Sequence, residues 1–203
     1  LLAIYERELG ITPPGRAAVA LLHTMGGLCE DKVGDELRAI DCYRRAIAID
    51  AKHGPSLHGL ARLLQHRRAF PELVEVLELE LRGLGDPKSR ALTAYRIGRA
   101  YEEHIQDLNK AVAAYHKATE AVPEYRPALD GLARVRATQE AWAGVVEDLA
   151  TEAATSREPS LATAALLRAG EIFAEQLNQP ERAIAAYERV IERDPGNIPA
   201  MLA

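Results

Sequence analysis

The amino-acid sequence predicts an all-α solenoid built from antiparallel helix hairpins, and three observations support this prediction. Apolar residues recur with helical periodicity along the whole chain, and the alternation typical of β-strands is absent. Proline, glycine and aspartate interrupt the helical pattern at regular intervals. The sequence also repeats itself with a period of 72 residues, which is typical of stacked repeat architectures.

The 72-residue period is clearest in a predicted helix that begins at Asp107 and stops at Pro123. Small residues and one tyrosine occupy one face of this helix, and the same pattern occurs one period earlier and one period later. Equivalent positions are Ala39, Ala111 and Ala183; Tyr43, Tyr115 and Tyr187; Gly26, Gly98 and Gly170; and Cys29, Tyr101 and Phe173. The repeat has no insertions, so each period is one structural unit that stacks on the next.

Start and stop signals place the helices along the chain. The first helix covers 1–10, because apolar residues from Leu1 to Leu9 recur on one face. Later helices start at prolines, whose missing N–H costs nothing in a first turn. These prolines are Pro55, Pro71, Pro87, Pro127, Pro159, Pro180 and Pro199. Serines at helix starts are interpreted as caps and not as nucleophiles.

These signals predict eleven helices and a terminal stub. The helices cover 1–10, 16–31, 35–49, 55–67, 70–82, 88–104, 107–121, 127–138, 141–155, 160–176 and 179–193, and the stub starts near 198. Because the connections are short, consecutive helices are expected to be antiparallel. The hairpins are then 16–49, 55–82, 88–121, 127–155 and 160–193, with partial helices at 1–10 and 198–203, in one array over 1–203.

The composition limits the classes of function. The chain has 203 residues, 48% of them hydrophobic and 27% charged, and a net charge of −5. This acidic balance argues against nucleic-acid binding, which depends on phosphate neutralisation. No apolar run is long enough to span a membrane, so no membrane contact is expected. The chain starts in mid-helix without a methionine, which suggests a fragment of a longer protein; the cytoplasm is the default location.

The pattern Gly98-x-x-Tyr101, Ala111-x-x-x-Tyr115-x-x-Ala118 and Pro123 resembles the tetratricopeptide repeat. Small residues allow the two helices of a hairpin to approach closely, and aromatic residues fill the space beside them. The hairpins 55–82 and 127–155 depart from the pattern, because leucine and valine replace the small residues. The hairpins that follow the pattern contain one additional residue between their helices.

The resemblance implies a right-handed superhelix whose concave surface is lined by the first helix of each hairpin. This surface is where such arrays bind partners. On that basis the predicted partner-binding residues are His58, Arg62, Gln65, Tyr95, Arg99, Glu102, Asp130 and Arg134.

Three arginines of this set, Arg62, Arg99 and Arg134, recur once per hairpin, and two interpretations are open. In the first, they form a row of guanidinium groups that binds a partner with acidic side chains. In the second, each pairs only with a nearby carboxylate: Arg99 with Glu102 or Glu103, and Arg134 with Asp130, whereas Arg62 has no obvious partner.

Catalytic residues, metal ligands and cofactors are not expected. Six histidines are scattered without the spacing of a metal site, and the sequence has no glycine-rich phosphate loop and no Cys-x-x-Cys. Cys29 and Cys42 occupy slots filled elsewhere by core residues, so both thiols are predicted to be buried.

The sequence therefore predicts a protein-binding or peptide-binding scaffold that is not itself an enzyme. An alternative is the regulatory or substrate-recruiting arm of an enzyme whose catalytic domain lies outside this chain. A third possibility is a spacer that self-associates end to end, because the apolar faces of the terminal helices lack a capping helix.

Overall fold

The computed structural model describes residues 1–202, and within that range all regular structure is helical. The helices are α1 (Leu2–Ile11), α2 (Arg16–Leu28), α3 (Glu36–Ile49), α4 (Gly54–His66), α5 (Phe70–Gly83), α6 (Pro87–Ala100), α7 (Leu108–Ala121), α8 (Arg126–Thr155), α9 (Pro159–Glu175), α10 (Pro180–Arg193) and α11 (Ile198–Leu202). Ala203, the end of the predicted stub, lies outside the described residues. The all-α prediction is confirmed.

Consecutive helices pack as hairpins, with α2 against α3, α4 against α5, α6 against α7 and α9 against α10. The small residues predicted at these contacts are buried: Ala39, Ala111 and Ala118 have no exposed surface. Each buried alanine keeps two helix backbones close together, which leaves room for one large side chain beside it. That large side chain is the tyrosine of each period.

The second helices start at aspartate caps in the first two periods. The side chain of Asp35 accepts a hydrogen bond from the Arg38 N–H, and that of Asp107 accepts one from the Lys110 N–H, both at 3.0 Å. Capping of this kind satisfies N–H groups that have no partner within the helix. In the third period Gln179 takes the place of the aspartate and its side chain makes no capping bond.

In the first two tetratricopeptide-like hairpins, the predicted additional residue is accommodated in a wider helical turn. Residues Cys29–Val33 and Tyr101–Ile105 form π-helical turns at the ends of α2 and α6. Each turn closes with a left-handed residue, Gly34 at φ 70° and Gln106 at φ 63°. A π-turn inserts one residue without ending the helix, so the downstream helix keeps its position.

The fourth predicted hairpin, 127–155, is not present, and this prediction is wrong. A single helix, α8, runs without a break from Arg126 to Thr155. In the equivalent hairpin α4–α5 the chain turns at Arg68, which has a positive φ of 57°, and α5 then starts at Phe70 with Pro71 in its first turn. One period later Ala143 replaces Pro71, and no residue there interrupts helical hydrogen bonding.

The two halves of α8 belong to different parts of the core. The first half packs with α6 and α7 through Leu132 and Val135. The second half packs with α9 through Val146 and Leu149. The helix therefore connects an N-terminal run of hairpins to a C-terminal set that contains α9 and α10.

Both ends of the array expose apolar side chains. Ile4 is 65% exposed in α1, and Ile198 is 65% exposed in α11. The exposed Ile4 is not on the face predicted for the first helix, because Leu2 and Leu9 of that face are half-buried and pack against the core. End-to-end association stays a prediction. No helix between residues 2 and 202 is both long and apolar enough to cross a membrane.

Candidate protein-binding face

The eight predicted site residues lie on the first helices α4, α6 and α8 and on the π-turn after α6. Tyr95 and Glu102 are half-buried, and the other six are exposed. The structure groups six of them into two ionic links between repeats and one cleft, and His58 and Asp130 belong to neither.

The first ionic link joins α4 to the preceding hairpin. Arg62 Nη2 donates to Oε2 of Glu30 at 2.7 Å, and Nη1 donates to the other oxygen of the same carboxylate. Glu30 lies in the first π-turn, and its side chain is only 13% exposed. The expectation that Arg62 has no obvious carboxylate partner was therefore wrong, because the partner is 32 positions away in the sequence.

The second link has the same design one period later. Arg134 donates from Nε and Nη2 to the two oxygens of Glu102, at 3.0 Å each. The hydroxyl group of Tyr115 donates to the same carboxylate. Arg134 was expected to pair with Asp130, and the structure assigns it to Glu102 instead. The bidentate pairing holds Arg134 of α8 in a fixed position against the preceding hairpin, α6–α7.

Burial of the ring and the Glu102 carboxylate both affect the pKa of the Tyr115 hydroxyl group. Burial, and then the hydrogen bond to the Glu102 carboxylate, raise the pKa of the Tyr115 hydroxyl group. The equivalent Tyr43 has its pKa raised to about 12, mainly by burial and then by the charge of Glu30. Both hydroxyl groups are thus kept as hydrogen-bond donors over the whole physiological range.

The middle arginine pairs within its own hairpin. Arg99 Nε donates to Oε1 of Glu103 at 2.7 Å, and Nη2 donates to Oε2 at 2.5 Å. The hydrogen bond from Arg99 lowers the pKa of the Glu103 carboxyl group. The pairing of Arg99 with Glu103 is one of the two that the sequence predicted. All three arginines of the row are therefore neutralised by carboxylates.

A cleft between α4, α5 and α6 has a volume of about 140 Å³ and contains three of the predicted residues. These are Gln65, Tyr95 and Arg99. The sequence did not identify the apolar part of the cleft, which includes Leu92, 51% exposed, and Phe70. The helical position of Leu92, one turn before Tyr95 on the same helix, is the signal that identifies it.

One side of the cleft is an aromatic pair. The rings of Phe70 and His104 stack with centroids 3.6 Å apart and planes 15° apart. Tyr95 lies 5.9 Å from both Tyr115 and Tyr125, measured between ring centroids. The cleft therefore combines rigid aromatic surface with an amide, a guanidinium group and a carboxylate. His58 and Asp130 do not line it.

A serine lies between two histidines near the start of α4. His53 Nδ1 is 2.8 Å from Ser56 Oγ, and His23 Nδ1 is 3.3 Å from the same oxygen. Ser56 has no exposed surface, and its backbone N–H donates to His53 Nδ1, so His53 acts as the cap of α4. Because no substrate could reach the Ser56 hydroxyl group, this arrangement is structural. Burial, and then His53, lower the pKa of His23.

The two thiols are buried as predicted. Cys29 is 1% exposed and Cys42 is 5% exposed. Burial raises the pKa of Cys42 to about 11, so its thiolate is scarce at neutral pH. Among residues 1–202 no group of three or more histidines, cysteines and carboxylates is placed to hold a metal ion.

A larger groove of about 560 Å³, which the sequence did not predict, lies between the second half of α8, α9 and α10. Its lining is mainly apolar and includes Val146, Leu166 and Phe173, with Glu147 on one side and Arg189 on the other. It is distant in sequence from the cleft and contains none of the predicted residues.

The tetratricopeptide repeat family matches the chain over residues 93–125 and 164–197. These segments contain most of α6 with α7, and most of α9 with α10. No curated protein matches the chain.

The chain matches several solved structures of tetratricopeptide repeat proteins. The C-terminal part of a repeat protein from Cytophaga hutchinsonii has a TM-score of 0.52 and 20% identity, over 97% of this chain and 77% of that one. YrrB, a repeat protein with an unusual peptide-binding site, has a TM-score of 0.48 and 16% identity, over 100% and 98% of the two chains. The TPR2AB domain of yeast Sti1 in a complex with pHSP90 has a TM-score of 0.44 and 21% identity, over 92% and 81%.

Proposed function

We propose that this chain, an array of tetratricopeptide repeats, is a protein-interaction scaffold that binds a peptide segment in the cleft between α4, α5 and α6. The segment places an apolar side chain against Leu92 and Tyr95 and a carboxylate beside Arg99. The observation that carries the proposal is the exposed apolar surface of Leu92 next to a half-buried tyrosine and a guanidinium group.

The distribution of the ionic links supports this location. Arg62 and Arg134 each join their own helix to the preceding hairpin through a carboxylate that is less than 15% exposed. Arg99 is bound only to Glu103 of its own hairpin, and the Glu103 side chain is 36% exposed. An incoming carboxylate can therefore replace Glu103 at Arg99 without breaking a contact between hairpins.

The chemistry of the cleft matches what peptide-binding sites use. Tyrosine and arginine supply large contact area and directional hydrogen bonds, and both are enriched where partners bind most tightly. Phe70 and His104 are already stacked, so this part of the surface loses little side-chain freedom on binding.

A display library of random peptides, selected against the intact chain, tests the proposal. Peptides that bind the cleft should lose affinity when Leu92→Asp places a charge in its apolar part. For acidic peptides, Arg99→Glu should weaken binding by about tenfold or more. Glu103→Gln should strengthen it, because Arg99 loses its competing carboxylate. Binding of these peptides should also weaken as the salt concentration rises.

The control is Arg45→Glu, because Arg45 is an exposed arginine on α3 that is also paired within its helix. This substitution should leave peptide affinity unchanged. Selected peptides that bind Leu92→Asp and Arg99→Glu as tightly as the parent chain would move the binding site away from the cleft.

A further inference from the structure

The groove of about 560 Å³ between the second half of α8, α9 and α10 has two walls and an apolar floor. Side chains of α9 form the floor, among them Leu166 and Phe173. The walls contain exposed or buried alanines of α8 and α10, which are Ala143, Ala150, Ala185 and Ala186. Along α10 and its N-cap the lining runs from Gln179 to Arg189, which is about 15 Å, or nearly three helical turns.

The equivalent surface one period earlier carries more polar side chains. Tyr101 takes the place of Phe173, and Glu78 takes the place of Ala150. Burial, and then the charge of Glu78, raise the pKa of the Tyr101 hydroxyl group, so these two polar groups lie near each other. The groove beside α8 has neither the hydroxyl group nor the carboxylate, and its apolar surface is open to a partner.

The two walls of the groove carry opposite charges. Glu147 lies on the α8 wall, and Arg182 and Arg189 lie on the α10 wall. Among residues 1–202 none of these three side chains forms an ion pair. Arg182 lies over the floor, with Cζ 5.0 Å from the centroid of the Phe173 ring. The glutamates of α10, which are Glu181, Glu188 and Glu192, do not line the groove.

The lining favours a helical partner over an extended one. Apart from the charged side chains, Gln179 is the only polar residue of the lining, and its Oε1 already accepts a hydrogen bond from Arg182 at 3.1 Å. An extended segment would leave its N–H and C=O groups unpaired over the apolar floor, whereas a helix pairs these groups internally. Alanines on both walls also allow the axis of another helix to come close.

We propose that this groove binds an amphipathic helix of a partner protein, with acidic residues along one edge of its apolar stripe and basic residues along the other. The acidic edge lies against Arg182 and Arg189, and the basic edge lies against Glu147. The apolar stripe supplies the contact area, and the charges fix the direction of the helix in the groove. The groove shares no residue with the cleft between α4, α5 and α6, so this binding is independent of the proposed function.

Three synthetic peptides of about 18 residues, added to the intact chain, test the proposal, since shorter isolated helices are marginal. All three share one leucine stripe. The mixed peptide has glutamates along one edge and lysines along the other, the basic peptide has lysines along both edges, and the broken peptide is the mixed one with a central proline. By fluorescence anisotropy the mixed peptide should bind most tightly. The basic peptide should bind about tenfold or more weakly, because in either direction a lysine edge meets Arg182 and Arg189.

Reversing the charges of the α10 wall should reverse this preference. In the double variant Arg182→Glu, Arg189→Glu both walls are acidic, so the basic peptide should bind more tightly than the mixed peptide. The matched control is Lys110→Glu, Lys117→Glu, at the equivalent positions one period earlier. This control should keep the preference of the parent chain.

A steric variant locates the binding site. Ala185→Trp should abolish binding of the mixed peptide because the indole ring occupies the groove, whereas Ala113→Trp, at the equivalent exposed position on α7, should not. Leu92→Asp in the cleft should also leave this affinity unchanged, so a failure here is distinct from a failure of the proposed function.

The proposal would be overturned by equal affinities for the mixed and basic peptides, or by a mixed peptide that does not bind the parent chain. Tight binding of the broken peptide would show that the occupant is not a helix. A dimer of the chain alone that Ala185→Trp converts to a monomer would show that the occupant is a second copy, which also contradicts the proposal.

Discussion

The ring of Tyr115 occupies the space that a side chain at Gly131 would need. A Cβ atom on Gly131 would lie 2.7 Å from Cε2 of Tyr115, and a Cβ atom on Gly98 would overlap the other side of the ring. The ring is therefore enclosed between consecutive first helices, α6 and α8. Tyr43 lies in the same way between Gly26 and Gly59. In the first two periods one tyrosine thus sets the spacing of two consecutive first helices.

Gly98→Ala should destabilise the chain, because the new methyl group overlaps a ring that is enclosed on both sides. The expected loss is about 1–3 kcal/mol in the free energy of unfolding, measured by chemical denaturation. Gly144→Ala is the matched control, because Gly144 is an exposed helical glycine with nothing within 4 Å of a new Cβ atom. The control should stabilise the chain by about 0.5–1 kcal/mol. Equal effects of the two substitutions would contradict the packing described for Tyr115.

Glu102 and Arg134 should be coupled in their contributions to the free energy of unfolding. A double-mutant cycle with Glu102→Gln and Arg134→Gln should give a coupling energy of about 1 kcal/mol or more, because the carboxylate is largely buried and also binds Tyr115. The exposed pair Arg168–Glu171 within α9 serves as the control. Its cycle should give a value near the lower end of the range for surface pairs, about 0–1 kcal/mol. A coupling energy for Glu102–Arg134 no larger than the control value would show that the link contributes little to stability.

Gln106→Gly should stabilise the chain. Gln106 has a left-handed backbone with φ 63°, a conformation that costs a non-glycine residue about 1 kcal/mol or more. Its equivalent one period earlier is Gly34, at φ 70°. Replacing the glycine of the other π-turn, Gly34→Ala, should therefore destabilise the folded chain by a similar amount. Thermal unfolding of both variants measures the change in stability. If the two π-turns close in the same way, Gln106→Gly should raise the thermal midpoint and Gly34→Ala should lower it.

Stability should fall as the pH falls below about 6.5, the usual pKa of histidine. Burial, and then His53, lower the pKa of His23 in the folded chain. Below pH 6.5 His23 therefore binds a proton more readily in the unfolded chain than in the folded chain, so its protonation favours unfolding. The pH dependence of the thermal midpoint should be weaker in His23→Gln. His116→Gln, at an exposed position on α7, should keep the parent slope. If the thermal midpoint of His23→Gln depended on pH as strongly as that of the parent chain, a group other than His23 would be responsible for the pH dependence.

Much of the fold was predictable because the signals that specify it are local. Helix boundaries follow from prolines and aspartate caps, and the buried faces follow from alanine and tyrosine at helical spacing. The additional residue between Gly98 and Ala111 was also visible, although its conversion into a π-turn was not.

The candidate site was predictable only in part. The face and the residues Gln65, Tyr95 and Arg99 could be placed from the repeat pattern. The partners of Arg62 and Arg134 could not be, because each carboxylate lies in the preceding hairpin, 32 residues away. Contacts over such a separation depend on how hairpins stack and not on the spacing within one helix.

The sequence by itself determined the class of fold, the period and the residues that face the core, since each depends on the local pattern of apolar and small residues. Only the tertiary structure decided whether the fourth hairpin closes. The turn at Arg68 and the straight helix at Glu140 occur at equivalent positions, where Pro71 of α5 corresponds to Ala143 of α8. Helix propensity favours continuation there, and local signals alone do not decide against it.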